Sequence, residues 1–268
     1  MSPLFVSALM LQAVGHCRVE AWAESKTFRS GKPFTVAIRL TPDPGWHTYW
    51  RNPGDSGSPT TLEWKLPPGW KAGPVEFPVP DRIPVGEGLV SFGYEGPSVL
   101  LQTLTPPRVT DPRASNLVVT VSWVACKEEC VTGSTSLEIR VRPGEALKDE
   151  VAAKVIGPAR SHLPSTLPEF RVRASVSGEQ YRLDVTRATS WTAEAAQAVF
   201  IPLDPEALDH SDGQGVTVSG PVLSLVLKPS GFRSSPLRRL RGLLVAPNSY
   251  VFLNKTRALV IDAAFGAS

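Results

Sequence analysis

Short apolar runs recur along this chain, and prolines or glycines break them about every 8–12 residues, the punctuation of an antiparallel β-sandwich. The 26 prolines and 21 glycines among 268 residues exclude a mainly helical protein. Each proline removes a helical hydrogen bond, and each glycine adds an entropic cost. With 42% hydrophobic and 20% charged residues, the chain can bury a real core and is no disordered segment. Its length suits one large domain or two of ordinary size.

In the first half Phe34–Leu40, Thr61–Leu66, Val99–Leu104, Leu117–Ala125 and Ser134–Val141 read as strands. Gly45–Trp50 reads as another, with Trp46, Thr48 and Trp50 on one face and His47 and Tyr49 on the other. Residues 67–97 look loop-rich, with short edge pieces. Gly144–Arg160 changes period: Ala146, Leu147, Val151 and Val155 follow helical spacing, and Gly157-Pro158 is expected to stop the helix. Pro164–Pro168 reads as a linker. Strands are then expected at Phe170–Val176, Tyr181–Val185, Ala198–Pro202, Val216–Val218, Val222–Leu227, Leu240–Val245 and Arg257–Ala263. The expected architecture is all-β: two immunoglobulin-like antiparallel β-sandwich domains, residues 17–145 and 169–268, joined by a short helix and linker over 146–168.

Leu4–Val14 is apolar and resembles the core of a secretory signal, so residues 1–16 are expected to be a leader. The run is too short for a membrane span, which takes about 20 residues. No Lys or Arg precedes Arg18, so the signal is atypical or the true start lies upstream. Ala21-Trp22-Ala23 mimics a cleavage site but fits the first strand better. Cys17 follows Val14-Gly15-His16, a poor lipidation context, and is expected to leave with the leader or to sit as a free thiol. No other stretch approaches 18 continuous apolar residues, so no transmembrane segment is expected. The net charge is only +3. Arg233, Arg238, Arg239 and Arg241 form its one compact basic cluster, without an aromatic platform, and read as a solvated face with no nucleic-acid partner.

Cys126 and Cys130 carry the chemistry. On one straight strand they would stand about 13 Å apart, whereas a disulfide needs Cα atoms within about 4.4–6.8 Å. If Lys127-Glu128-Glu129 forms a three-residue turn, or the segment coils into one helical turn, the sulfurs can meet. A close pair in an exported protein belongs in an oxidising compartment. Lys127 would lower a thiol pKa while Glu128 and Glu129 would raise it. Local charge therefore does not favour a permanently activated nucleophile, which suits a relay whose partner supplies the attacking thiolate. The rival reading is a structural staple in a non-catalytic binding module, copper-binding or adhesion-like. Two thiolates with His47 would suit Cu(I), but His16, His47, His162 and His210 have no zinc-like spacing, and no metal is expected. Gly-x-Ser-x-Gly, Walker and His-Glu-x-x-His motifs are missing, and Asp43, Asp55 and Glu63 suggest no carboxylate pair.

Five blocks resemble the N-terminal periplasmic domain of the DsbD/ScsB family of thiol–disulfide reductases. They are Ser30–Val36, Pro44-Gly-Trp-His-Thr-Tyr-Trp-Arg-Asn-Pro-Gly-Asp-Ser-Gly57, Arg82–Gly86, Phe92-Gly-Tyr-Glu-Gly96 and Trp123-Val-Ala-Cys-Lys-Glu-Glu-Cys130. Their order and spacing make the match specific, and it is nearest the ScsB-like branch, with a second β-sandwich. The resemblance implies a redox-active Cys126/Cys130 pair with no other cofactor. It implies a membrane-embedded reductase domain as electron donor, thioredoxin-fold periplasmic proteins as acceptors, and a periplasmic location, held at the inner membrane through a partner. By the same resemblance Cys130 forms the mixed disulfide. The resemblance also implies that Phe92, Tyr94 and Glu95, in a glycine-flanked loop Ser91–Pro97, cap the cysteines, and that His47 lies near them. Tyr49 and Trp123 are expected to line the site mainly as packing residues. The family's membrane and C-terminal thioredoxin-like domains are absent from these 268 residues, so a fragment, a split subunit or a relative docking on a separate reductase is expected.

Overall fold

The computed structural model describes residues 15–266 apart from 87, 110–114, 146, 212, 234, 248–251 and 253–255. The apolar run Leu4–Val14 and Ala146 of the expected helix lie outside the described residues. In the first half the strands are β1 (Cys17–Ala23), β2 (Thr27–Phe28), β3 (Phe34–Pro42), β4 (Thr48–Gly54), β5 (Thr61–Lys65) and β6 (Lys71–Glu76). They continue as β7 (Asp81–Pro84), β8 (Val90–Tyr94), β9 (Ser98–Thr105), β10 (Ser115–Cys126) and β11 (Cys130–Pro143). After helix α1 (Glu150–Ser161) come β12 (Arg171–Ser177), β13 (Gln180–Thr186), β14 (Val199–Pro202), β15 (Gly215–Ser219), β16 (Val222–Leu227), β17 (Arg239–Val245) and β18 (Ala258–Ala264).

Two four-stranded sheets, ordered β1-β3-β9-β6 and β2-β11-β10-β5, face each other in the first half. Strand β10 shows why: Leu117, Val119, Val121, Trp123 and Ala125 are buried in alternation with partly exposed neighbours, so a period of two gives the strand one apolar face. That face meets Val36, Ile38, Leu40, Leu100 and Leu104 of the other sheet. On the outer face hydroxyls pair across strands, Thr120 with Ser136 at 3.0 Å and Ser122 with Ser134 at 3.1 Å. A third sheet, β4-β8-β7, completes this half. In the second half β12-β13-β16-β15 packs on β14-β17-β18 around Leu183, Phe200, Leu225, Leu244 and Ile261. All seven strands expected there are present, and the all-β, largely antiparallel fold with one connecting α-helix among the described residues agrees with the sequence expectation.

Every sheet draws its strands from one side of α1, yet the halves share a core. Trp50, Phe92 and Tyr94 of the first pack with Ile201, Leu243 and Val245 of the second. Buried Asn52 adds a hydrogen bond from Nδ2 to the Pro202 carbonyl at 2.8 Å.

The helix corrects two expectations. It runs through Gly157-Pro158 instead of stopping there, and its buried residues are Ala152, Ile156 and Ala159, while Leu147 and Val151 are exposed. Burial decides both points. Ala152, Ile156 and Ala159 lie three or four apart and pack on Ala37 and Leu101, so contact beyond Pro158 outweighs the backbone bond the proline removes. Asp149 caps the helix, accepting from the Val151 and Ala152 N–H groups at 2.9 and 3.2 Å. Partial burial pushes the Asp149 carboxyl up, but these N–H groups and Lys26 outweigh it and hold it below its usual value. Asp149→Ala should cost about 1 kcal/mol in denaturant unfolding. A depressed carboxyl pKa contributes stability above the unfolded value and loses it as pH falls through the folded one. The difference between wild type and Asp149→Ala should therefore shrink below the ordinary carboxylate range.

Candidate functional site

The ladder between β10 and β11 runs in unbroken register from Ser115↔Val141 to Cys126↔Cys130. Lys127-Glu128-Glu129 closes it as a three-residue turn, with the Lys127 N–H bonded to the Glu129 carbonyl at 3.0 Å. The turn sets the two Cα atoms 4.1 Å apart, and the cysteines form a disulfide. Of the two arrangements open to the sequence, the structure takes the turn.

The two sulfurs sit in different surroundings. Cys126 is 3% exposed, and both its backbone groups are held by His47: the His47 N–H donates to the Cys126 carbonyl at 2.9 Å and the Cys126 N–H to the His47 carbonyl at 3.0 Å. Cys130 is exposed at the hairpin tip. A shallow hollow lined by Trp46, Lys127, Glu128 and Glu129 opens at that tip. His16 stacks on Trp46 at 3.8 Å and bonds Asp43 at 3.0 Å. Gly15 accepts a hydrogen bond from the Trp123 indole at 3.1 Å. Gly15 and His16, expected in the leader, thus pack on the Trp123 and Trp46 side chains of the folded domain.

Tyr49 and His47 stand behind the disulfide. The Tyr49 hydroxyl lies 4.0 Å from Cys130 Sγ and 3.1 Å from His47 Nε2. A disulfide sulfur has no proton to give, so the hydroxyl donates to it and the imidazole donates to the hydroxyl oxygen. Burial pushes the His47 pKa down, partly offset by Glu95, so the ring is neutral at neutral pH. Burial raises the Tyr49 hydroxyl, partly offset by Ser56 and Ser91. Gly57, at φ +79°, lies flat against the Tyr49 ring; a Cβ there would fall 2.1 Å from Tyr49 Cζ. Trp123 packs in the sandwich core over Gly133, its cross-strand partner.

Phe92 and Tyr94 are placed differently from expectation. They lie in β8, the middle strand of its sheet, not in an exposed loop. Their side chains enter the core shared by the two halves, Phe92 meeting the His210 ring edge-on at 4.9 Å. The Tyr94 hydroxyl donates to the Pro78 carbonyl at 2.8 Å. Alternating pairing with β4 and β7 makes this segment a strand despite its glycine. Glu95, just beyond it, is exposed and reaches His47 only electrostatically. Gly57 and His210 were not expected at the site; Gly57 ends the second of the family-like blocks, whereas His210 carries no local signal of its use in the sequence.

Cys17 sits in β1, 1% exposed, and burial pushes its thiol up to about 12. A protonated buried thiol is inert. Thiol titration of the folded chain should find two groups after mild reduction and a third only on unfolding. Among the described residues no group of three or more His, Cys, Asp and Glu side chains gathers as a metal site. Arg239 pairs with Asp262 at 2.6 Å, Arg241 pairs with Asp204, and Arg233 lies over the Tyr181 ring, so much of the basic cluster is spent on local contacts.

A disulfide bridging one buried and one exposed cysteine at the tip of a β-sandwich hairpin has the form of a redox-disulfide domain. Residues 18–141 match the family model described as "Thiol:disulfide interchange protein DsbD, N-terminal", and the chain does not stop at that match. It is also similar to the N-terminal periplasmic domain of ScsB from Proteus mirabilis, a crystal structure, with TM-score 0.66 and 19% identity over 94% of each chain. No curated protein sequence matches it. These comparisons bear out the family resemblance carried by the sequence blocks, and the structural likeness extends the shared fold over both halves. No helix among the described residues is long and apolar enough to cross a membrane.

Proposed function

We propose that this chain is a periplasmic thiol–disulfide relay working through Cys126 and Cys130. The observation that carries the reading is the asymmetry of the pair: one sulfur is buried and backbone-clamped, the other exposed beside an open hollow. Exchange requires in-line access to one sulfur and a leaving thiolate held close by. A donor thiolate attacks Cys130 Sγ, the Cys126–Cys130 bond breaks, and Cys126 leaves as a thiolate that takes up a proton. The donor's second thiol then attacks its own sulfur in the mixed disulfide and releases Cys130. Two electrons and two protons have entered the pair. In the second half-reaction the Cys130 thiolate attacks an acceptor disulfide and Cys126 resolves the product. The Tyr49 hydroxyl hydrogen-bonds the thiolate at Cys130, with neutral His47 behind it.

The family match and the fold support a membrane-embedded DsbD-type reductase domain as donor, and thioredoxin-fold proteins are the natural acceptors of such a pair. Cys126→Ser leaves the exposed thiol without its resolving partner and should accumulate a mixed disulfide with donor or acceptor, whereas Cys130→Ser should not. The reduction potential should lie above about −300 mV, the region below which structural disulfides fall. A bond that resists reduction until the chain unfolds would leave only a structural staple.

A further inference from the structure

Building on the exchange reading above, we propose that His210, from the second sandwich, is a positioning residue of the disulfide site, holding the Asp55-Ser56-Gly57 turn against Tyr49. The His210 side chain is only 5% exposed, and its Nδ1 donates to Asp55 Oδ1 at 2.8 Å. The other Asp55 oxygen accepts the Val90 N–H at 2.8 Å, and the Asp55 N–H donates to the Val90 carbonyl at 2.9 Å. One carboxylate thus joins β8 to the second half of the molecule. The His210 ring also stands edge-on to Phe92, and its carbonyl accepts from the Arg82 guanidinium. The Asp55 turn and β8 therefore close on the His210 ring, and β7 on its main chain.

From that anchor the contacts lead directly to the redox sulfur. Ser56 bonds Ser91 through their hydroxyls at 2.9 Å, and both serines lower the Tyr49 hydroxyl pKa against its burial. Gly57 lies on the Tyr49 ring, and the Tyr49 hydroxyl reaches Cys130 Sγ. A second tie stabilises the approach to the turn: Asn52 binds the Pro202 carbonyl with Nδ2 and accepts the Gly54 N–H with Oδ1. A hydrogen bond to Cys130 favours its thiolate over its disulfide form, because the charged acceptor binds the donor more strongly. Loosening Tyr49 should therefore shift the redox equilibrium toward the disulfide. The second sandwich, which contains no cysteine, acts on the chemistry through this contact.

The test uses the full chain equilibrated with glutathione buffers, with circular dichroism confirming the fold. His210→Ala should lower the equilibrium constant for reduction of the pair about three- to thirtyfold, the range of such indirect couplings. His210→Asn, whose amide N–H can take the place of Nδ1, should restore most of it. A folded His210→Ala with the wild-type constant overturns the proposal. So does an Asn variant as impaired as the Ala variant, since that would trace the effect to lost packing on Phe92. Should His210→Ala fail to fold, His210→Phe, which keeps the ring without the donor, replaces it in the comparison with His210→Asn; failure of both to fold also overturns the assignment. Wild-type protein whose disulfide cannot be reduced while folded would sink the exchange reading itself, an outcome seen without any His210 variant.

Discussion

Phe92→Ala should destabilise the chain by about 3–5 kcal/mol, the range for emptying a buried aromatic site. The side chain is 2% exposed and packs in the core between the halves, where Trp50, Ile201 and Leu243 cannot close the gap without moving two sheets. For a chain of this size such a loss should lower the thermal midpoint by roughly 10 °C. The rate at which the reduced cysteines react with a small alkylating agent should stay near that of wild type. A lid over the cysteines would give the opposite pair of results, faster alkylation with little change in stability. Both measurements on one variant thus separate a core residue from a shield.

Gly57→Ala should be nearly as costly and should also disturb the redox site. The added Cβ would meet Tyr49 Cζ at 2.1 Å and both ring Cε atoms at 2.4 Å, far inside the contact distance of about 3.5 Å. Left-handed backbone adds about 1–2 kcal/mol for a residue with a Cβ, and overpacking about 1–3 kcal/mol more. Gly178→Ala isolates the first contribution, since Gly178 also has positive φ, +60°, with nothing within 4 Å of its Cβ position. Denaturant melts should rank wild type above Gly178→Ala and Gly178→Ala above Gly57→Ala. Only Gly57→Ala should change the reduction equilibrium of the pair, because only there must Tyr49 leave Cys130. Equal losses in the two variants would show that Tyr49 yields freely and takes no fixed position.

The hairpin carrying the cysteines is legible in the order of its residues. Leu117, Val119 and Val121 alternate with polar or less buried neighbours, and a one-residue slip would turn that whole apolar set outward. Alternation therefore restricts the register to even steps, and the three-residue turn the structure takes selects the one that brings Cys126 opposite Cys130. The same alternation locates the seven strands of the second half, and the helical spacing locates α1. Amphipathic pattern reports which residues share a face; it does not say what covers that face. That is why α1 buries Ala152 and Ile156 while Leu147 and Val151 stay exposed, and why its continuation past Pro158 needs the sheet beneath it.

The site divides along the same line. Chain-local chemistry, two cysteines at a turn-compatible spacing within recognisable blocks, is determined by the sequence alone. Long-range placement is decided by the tertiary fold: His47 bridging the backbone of Cys126, Tyr49 reaching Cys130 over a glycine eight residues further on, and Phe92 drawn into the core. His210 meets Asp55 across 155 positions of sequence, and no periodicity or motif encodes so distant a pairing. Such contacts exist because burying the face between the two halves brings their polar rims together, where a donor paired with an acceptor avoids the cost of burial unpaired.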